Sequence, residues 1–194
     1  VMPDGTICTI SSECLLSVWA PDESGKYARQ KSGAQEGQVA CHASLSSKWA
    51  VTGAEDGSVA VWTPDSFGAL RESAPLKWHT ATVAHVCAVS ETCFASLDTA
   101  GKLCVWHKAD GQWAPATVPE ATEPVRGVAV EAANGTLYVL GASGKVALWR
   151  PTGAGEWMQV VDASTGVESS GPASLAIADG RVCVGTSEGK VHFW

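Results

Sequence analysis

Short runs of alternating apolar and polar residues recur along this chain of 194 residues, and each run ends in tryptophan. The runs are LLSVW, SVAVW, KLCVW, KVALW and KVHFW. Such alternation is typical of a β-strand with one face in a core. The closing tryptophans are 43, 44, 43 and 45 residues apart: Trp19, Trp62, Trp106, Trp149 and Trp194. A period of this length indicates a repeated supersecondary unit.

The third repeat shows what one unit contains. Thr82–Ser90 and Cys93–Asp98 are predicted strands joined by a short turn, and Lys102–Trp106 is a third strand after a tight turn with glycine. A fourth, poorer strand begins at Trp113, where Pro115 would confine it to a sheet edge. The pattern therefore predicts four antiparallel strands joined by hairpins in each repeat.

A single four-stranded unit cannot bury both faces of its sheet, so we expect the units to pack around an axis. The predicted fold is all-β: one β-propeller region over residues 1–194, built from four-stranded antiparallel blades. About five repeats are expected, of which the second to fourth are complete and the first and fifth each lack a strand. An open arc would expose two blade faces. We therefore expect these residues to be part of a larger propeller, completed by missing chain or by another subunit.

Two segments resemble the WD-repeat family. LKWHTATVAHVCAVS, residues 76–90, is similar to the family opening L-x-G-H-T-x-x-V-x-x-V-x-F-S, with Trp78 at the glycine and His79 at the histidine. GAEDGSVAVW, residues 53–62, is similar to the ending G-S-x-D-G-T-V-x-L-W. Quinoprotein propellers are the rival, but three residues rather than two separate lysine from tryptophan in SGKVALW and EGKVHFW. The resemblance covers essentially the whole chain and implies a WD40-type β-propeller.

In that family a histidine, an aspartate, a serine or threonine and the tryptophan of each repeat form a buried hydrogen-bond network. The matching positions are Thr52, Asp56 and Trp62 in the second repeat and His79, Ser96 and Trp106 in the third. The departures are Gln35 for histidine, Ala100 for aspartate, with Asp98 as its candidate replacement, and Val139 and Val184 for the hydroxyl. No repeat has the full set, so we expect the tryptophans to act mainly as apolar cornerstones.

Charge and hydropathy argue against two classes of partner, nucleic acids and membranes. The net charge is −7, and the 13 basic residues are scattered rather than clustered. Nucleic-acid binding requires a dense positive surface, so none is expected. No apolar run is long enough to span a bilayer and no signal peptide is predicted, so we expect no membrane insertion.

The cysteine pattern bears on the compartment. The count is odd, seven, most of the cysteines lie in apolar strand runs, and no CxxC pair is present. Reduced, buried thiols are the simplest interpretation. We therefore predict an intracellular, cytoplasmic-type reducing compartment, with no metal and no cofactor.

No catalytic motif emerges from the sequence. HExxH, GxSxG and the P-loop are absent, and nothing groups a serine, a histidine and a carboxylate. We predict no catalytic residues and no enzymatic activity. Propeller channels can gather metal ligands from several blades, so a propeller enzyme stays as the third hypothesis.

The family places binding loops on one rim, before the first strand and before the third strand of each blade. The candidate partner-binding residues on this chain are Trp78, His79, Glu55, Asp56, Glu120 and Glu123. Trp78 is either an exposed anchor, of a type enriched in binding hot spots, or part of the blade core. The acidic residues would either steer a basic partner or serve solubility.

The first functional hypothesis is a non-catalytic protein–protein interaction scaffold within a larger multi-protein assembly. The alternative is a peptide- or substrate-recognition module that uses the top rim. Phosphate recognition ranks lower because the rim loops contain little arginine.

Overall fold

The computed structural model describes residues 6–11, 13–34, 38–46, 49–64, 70–116, 118, 121, 123–131, 134–153, 155–164, 172–178 and 181–193. Over these residues the regular secondary structure is entirely β, as the alternating pattern predicts. The chain divides into two compact units, Val1–Val86 and Cys87–Trp194.

The first unit contains two antiparallel sheets. The first sheet has the order β1 (Ile7–Ile10), β2 (Leu15–Pro21), β3 (Tyr27–Ala34). The second has the order β4 (Val39–Ser46), β5 (Trp49–Ala54), β6 (Ser58–Pro64), β7 (Leu70–Glu72), and the short β8 (Leu76–Lys77) also pairs with β6. The core of this unit is formed by Leu16, Val18, Ala50 and Trp62.

Three further antiparallel sheets follow, and the division between the units falls within β9. The third sheet has the order β12 (Gln112–Pro115), β11 (Leu103–Ala109), β10 (Cys93–Asp98), β9 (Val83–Ser90). The fourth has the order β13 (Val125–Glu131), β14 (Thr136–Gly141), β15 (Lys145–Gly153), β16 (Glu156–Ser164). The fifth has the order β17 (Pro172–Ala178), β18 (Arg181–Thr186), β19 (Val191–Phe193).

Two apolar clusters hold the second unit together. The larger cluster joins the third and fourth sheets and consists of Cys93, Ala95, Leu97, Leu103, Val105, Val125, Leu137, Val139, Trp149 and Trp157. The smaller joins the fourth and fifth sheets through Tyr138, Leu140, Val146 and Val184. Each sheet buries a face that it could not bury alone, which is the packing that the repeat pattern predicts. That the whole chain forms one propeller region, and that this region is part of a larger propeller, stay predictions.

Three of the strand-ending tryptophans make the same hydrogen bond within their sheets. Their indole Nε1 donates to a hydroxyl ten residues earlier: Trp62 to Thr52 at 3.0 Å, Trp106 to Ser96 at 2.8 Å, and Trp19 to Thr9 at 2.9 Å. The resemblance predicts Thr52 and Ser96 in this position, and Thr9 is a third example. Trp194 lies outside the described residues.

Candidate protein-interaction site

The rim site is the surface formed by the β5–β6 turn, Glu55 to Gly57, and the loop from Lys77 to Thr82, all within the first unit. Strand pairing brings these segments together, because β8 adds to β6 with Lys77 opposite Ser58. The chain therefore leaves the second sheet directly beside its tight turn, and Trp78 is the first residue after the pairing ends.

Backbone contacts fix the turn against the loop. Gly57 has a φ of +82°, and a Cβ at this position would lie only 2.6 Å from the carbonyl oxygen of His79. Only glycine combines this left-handed conformation with so close an approach. The Thr82 hydroxyl donates to the Glu55 carbonyl at 3.2 Å, and the Glu55 N–H donates to the Gln38 carbonyl at 3.0 Å. The β5–β6 turn is thus bonded to the Lys77–Thr82 loop on one side and to Gln38 on the other.

Trp78 and His79 are in contact but differ strongly in exposure. The His79 side chain is 6% exposed, whereas that of Trp78 is 42% exposed. Their ring centroids are 4.8 Å apart and the rings meet edge to face at 84°. The buried imidazole thus supports the indole, an arrangement that aromatic rings favour. His79 cannot offer a large contact surface to a partner, but Trp78 can.

The acidic residues of the turn are exposed and differ in their bonding. The Asp56 carboxylate accepts hydrogen bonds from the Ser58 hydroxyl at 2.5 Å and from the Ser58 N–H at 2.9 Å. These bonds, assisted by the positive charge of Lys77, lower the pKa of Asp56 below its ordinary value. With its side-chain nitrogen oriented toward Glu55, the Gln38 amide donates to that carboxylate at 2.7 Å. The rim site therefore carries negative charge on its β5–β6 turn.

Two predicted rim residues are not in this unit. Glu123 lies in the second unit and is half-buried. Its carboxylate accepts hydrogen bonds from the Ser143 N–H at 2.8 Å and from the Ser143 hydroxyl at 2.6 Å. Glu123 thus secures the β14–β15 turn, as Asp56 does within its own turn. Glu120 lies outside the described residues.

Four of the seven cysteines have thiols of low reactivity in this structure. All seven are free. Burial raises the pKa of four of them to about 12, namely Cys41, Cys87, Cys93 and Cys104. Their thiols are therefore protonated at neutral pH and are poor nucleophiles and metal ligands.

Over the described part of the chain, no group of three or more His, Cys, Asp or Glu side chains could hold a metal ion. The described residues also include no helix with the length and apolar character needed to cross a bilayer. That the chain is not an enzyme stays a prediction.

Comparison with known proteins places the fold. No family model matches the sequence, and no curated protein matches it either. Solved structures do match, and 1157 chains do so, which makes the fold a common one. The WD40 β-propeller domain of Doa1 superposes with a TM-score of 0.68 and 18% identity, over 99% of this chain and 61% of that one. The computationally designed Ika4 protein superposes with a TM-score of 0.65 and 17% identity, over 85% of this chain and 96% of that one.

The chain therefore has the all-β fold of WD40-type β-propellers, which confirms the resemblance drawn from its repeats. It spans 61% of the length of the Doa1 domain that it matches. At 17% and 18% identity, these similarities define the fold. Function must be argued from the site, because one fold hosts many functions.

Proposed function

We propose that this protein is a non-catalytic protein–protein interaction scaffold and a subunit of a larger multi-protein assembly. A WD40-type propeller fold supports a protein-interaction module in general. The observation that carries the proposal is the exposed indole of Trp78 on a loop whose backbone is fixed by the β5–β6 turn.

Trp78 has the properties of a binding anchor. Tryptophan is enriched among residues that contribute most to binding, because its large ring fills a partner pocket. The loop is held by the contacts of Gly57 and Thr82, so less conformational freedom is lost on binding. Glu55, Asp56 and Lys77 are exposed on the same turn and loop and supply charged groups of the kind found at the polar edge of an interface.

The negative charge of the rim site indicates what kind of partner surface would bind there. Glu55 and Asp56 are both exposed, and the hydrogen bonds of Asp56 favour its ionised form. The net charge of the chain is −7. A partner that offers an apolar pocket flanked by lysine or arginine would be steered to this surface.

Affinity purification of the tagged full-length protein at near-physiological salt, followed by mass spectrometry, tests the proposal. Wild type should recover a defined set of subunits, and Trp78→Ala should lose at least one of them. Tyr27→Ala is the matched control, because Tyr27 lies in the same unit and is also 42% exposed. A full-length protein that is recovered alone, or recoveries that are identical for the two variants, would contradict the proposal.

A second candidate function is recognition of a short basic peptide at the rim site. The juxtaposition of an exposed indole with an acidic turn favours it, since a lysine or arginine side chain can stack on tryptophan and pair with a carboxylate. A peptide array probed with wild type and with Trp78→Ala distinguishes this function. A positive signal that persists in the variant would exclude the rim site.

We also propose that the protein works in a reducing, cytoplasmic-type compartment. The free state of all seven cysteines supports this location. Fluorescence microscopy of the tagged full-length protein tests it, and a signal confined to the secretory pathway would contradict it.

A further inference from the structure

The fourth strand of the fourth sheet has an unusual edge. β16 is the last strand in its sheet order and is nine residues long. The outer strand β12 has four residues and contains Pro115, and β7 has three. Proteins protect sheet edges with short strands, proline or charge, because an open edge can pair with another strand. Residues 157–161 of β16 contain neither proline nor charge.

The side chains of β16 present apolar surface on both faces. Met158 is 51% exposed and Val160 is 42% exposed, and Val160 is the extra residue of a β-bulge, because its neighbours Gln159 and Val161 pair with the consecutive residues Trp149 and Leu148. Trp157 lies on the opposite face and is 8% exposed. Natural edges seldom leave large apolar side chains uncovered, so this strand is expected to have a partner.

A cleft opens on the Trp157 face, within the second unit. Its volume is about 510 Å³, in the range of ligand-binding clefts. Val89, Cys93 and Trp157 give it an apolar floor, while Ser90 and Thr92 line it with hydroxyl groups. The β15–β16 hairpin lines the cleft with Pro151 and Trp157 and with two glycines, Gly153 and Gly155, that add no side chain.

We propose that the edge of β16 binds an extended segment of another protein as an added strand. Main-chain hydrogen bonds to β16 would supply affinity, and alternate side chains would supply specificity. One set of apolar side chains would cover Met158 and Val160, and the other would enter the cleft beside Trp157.

Charge favours a basic partner strand over a second copy of this chain. Glu156 is exposed at the start of β16 and the chain carries a net charge of −7, so two copies would repel each other at this edge. A segment with an apolar centre and a lysine or arginine opposite Glu156 complements the same strand.

The inference requires a protein partner, as the proposed function does, but it depends on different residues. Trp78 has no part in it, so Trp78→Ala should leave binding at β16 unchanged. The rim site and the β16 edge can therefore fail independently.

The probe is a peptide selected by phage display. A library of random nine-residue peptides is panned against the immobilised full chain, because β16 itself has nine residues. The enriched peptide is synthesised, and its affinity is measured by fluorescence anisotropy. Met158→Lys/Val160→Lys should weaken binding by at least about tenfold. Val191→Lys, at an exposed strand residue of the fifth sheet, and Trp78→Ala should leave binding unchanged.

Backbone pairing is tested with N-methylated peptides. Methylation of the amides at one set of alternate positions should abolish binding, and methylation of the other set should not, because only one set faces β16. The inference is overturned by a failure to enrich any peptide or by equal binding to the double variant. It is also overturned by equal sensitivity to both methylation patterns, or by self-association through β16 in analytical ultracentrifugation.

Discussion

Val139 occupies the position ten residues before Trp149 at which other repeats place a hydroxyl. Among the described residues, the buried Nε1 of Trp149 has no hydrogen-bond partner. Thr52 and Ser96 accept this bond from Trp62 and Trp106. The fourth repeat thus keeps the tryptophan and leaves its polar atom unsatisfied.

Val139→Thr should increase the free energy of unfolding by about 1 kcal/mol, because the added hydroxyl satisfies a buried donor. Urea unfolding followed by circular dichroism measures the change. Val59→Thr is the control, because Val59 is fully buried in the first unit whereas Trp149 belongs to the second, and it should destabilise by about 1–3 kcal/mol. Equal effects of the two substitutions would contradict the prediction.

Thr52→Val should lower the free energy of unfolding by about 1–3 kcal/mol, because it leaves the Trp62 Nε1 buried without its acceptor. Thr9→Val should cost less, since the bond from Trp19 lies at an exposed position where water replaces the hydroxyl. Comparison of the two unfolding curves tests this order, and a larger loss for Thr9→Val would refute it.

Gly57→Ala should destabilise the first unit and weaken partner binding at the rim site. The added Cβ would meet the His79 carbonyl oxygen at 2.6 Å, in addition to the strain of a φ of +82°. Gly25→Ala isolates the strain, because Gly25 has a φ of +79° and nothing within 4 Å. The control should cost about 1–2 kcal/mol, and Gly57→Ala clearly more. Unfolding free energies and recovery of partners measure both effects.

Ser58→Ala should raise the pKa of Asp56 toward its ordinary value of 3.8, because the Ser58 hydroxyl is the main cause of the lowered pKa. A lowered pKa stabilises the folded state above the unfolded pKa, and this stabilisation is lost as pH falls through the folded value. The contribution is therefore present at neutral pH and absent in strong acid. Carboxyl ¹³C NMR titration measures the shift, and Asp22, whose pKa is lowered by Ser24, is the internal control.

Thiol titration should count seven reactive cysteines after denaturation without a reductant. In the native protein at about pH 8, the thiols of Cys41, Cys87, Cys93 and Cys104 should react slowly, because burial raises each pKa to about 12. Mass spectrometry of alkylated peptides identifies the reactive sites. Rapid native labelling of these four cysteines would contradict the structure.

The repeat pattern predicted the fold well because strand alternation and turn glycines are local signals. The predicted strand Cys93–Asp98 coincides with β10, and Pro115 lies on an outer strand as expected. Thr9 could also have been found, because its ten-residue spacing from Trp19 repeats that of Thr52 from Trp62.

The exposure and bonding of the predicted binding residues could not be predicted from the sequence, because they depend on how side chains pack in the folded protein. The pattern locates Trp78 in a loop, but only the structure shows that its ring is 42% exposed and meets the ring of His79 edge to face. Glu123, which stays a predicted binding residue, accepts a hydrogen bond from Ser143, twenty residues away. That contact depends on how the loop before β13 returns to the turn after β14.

The close contact between Gly57 and His79 links recognition to folding. A partner that grips Trp78 holds a loop whose backbone rests on the turn of the second sheet, so it would bind the folded sheet and not the unfolded chain. At a partner concentration a hundredfold above Kd, such binding adds about 2.7 kcal/mol to stability. Subunits made in excess of that partner would lose this protection and be degraded first, which would match the amount of this chain to that of its assembly.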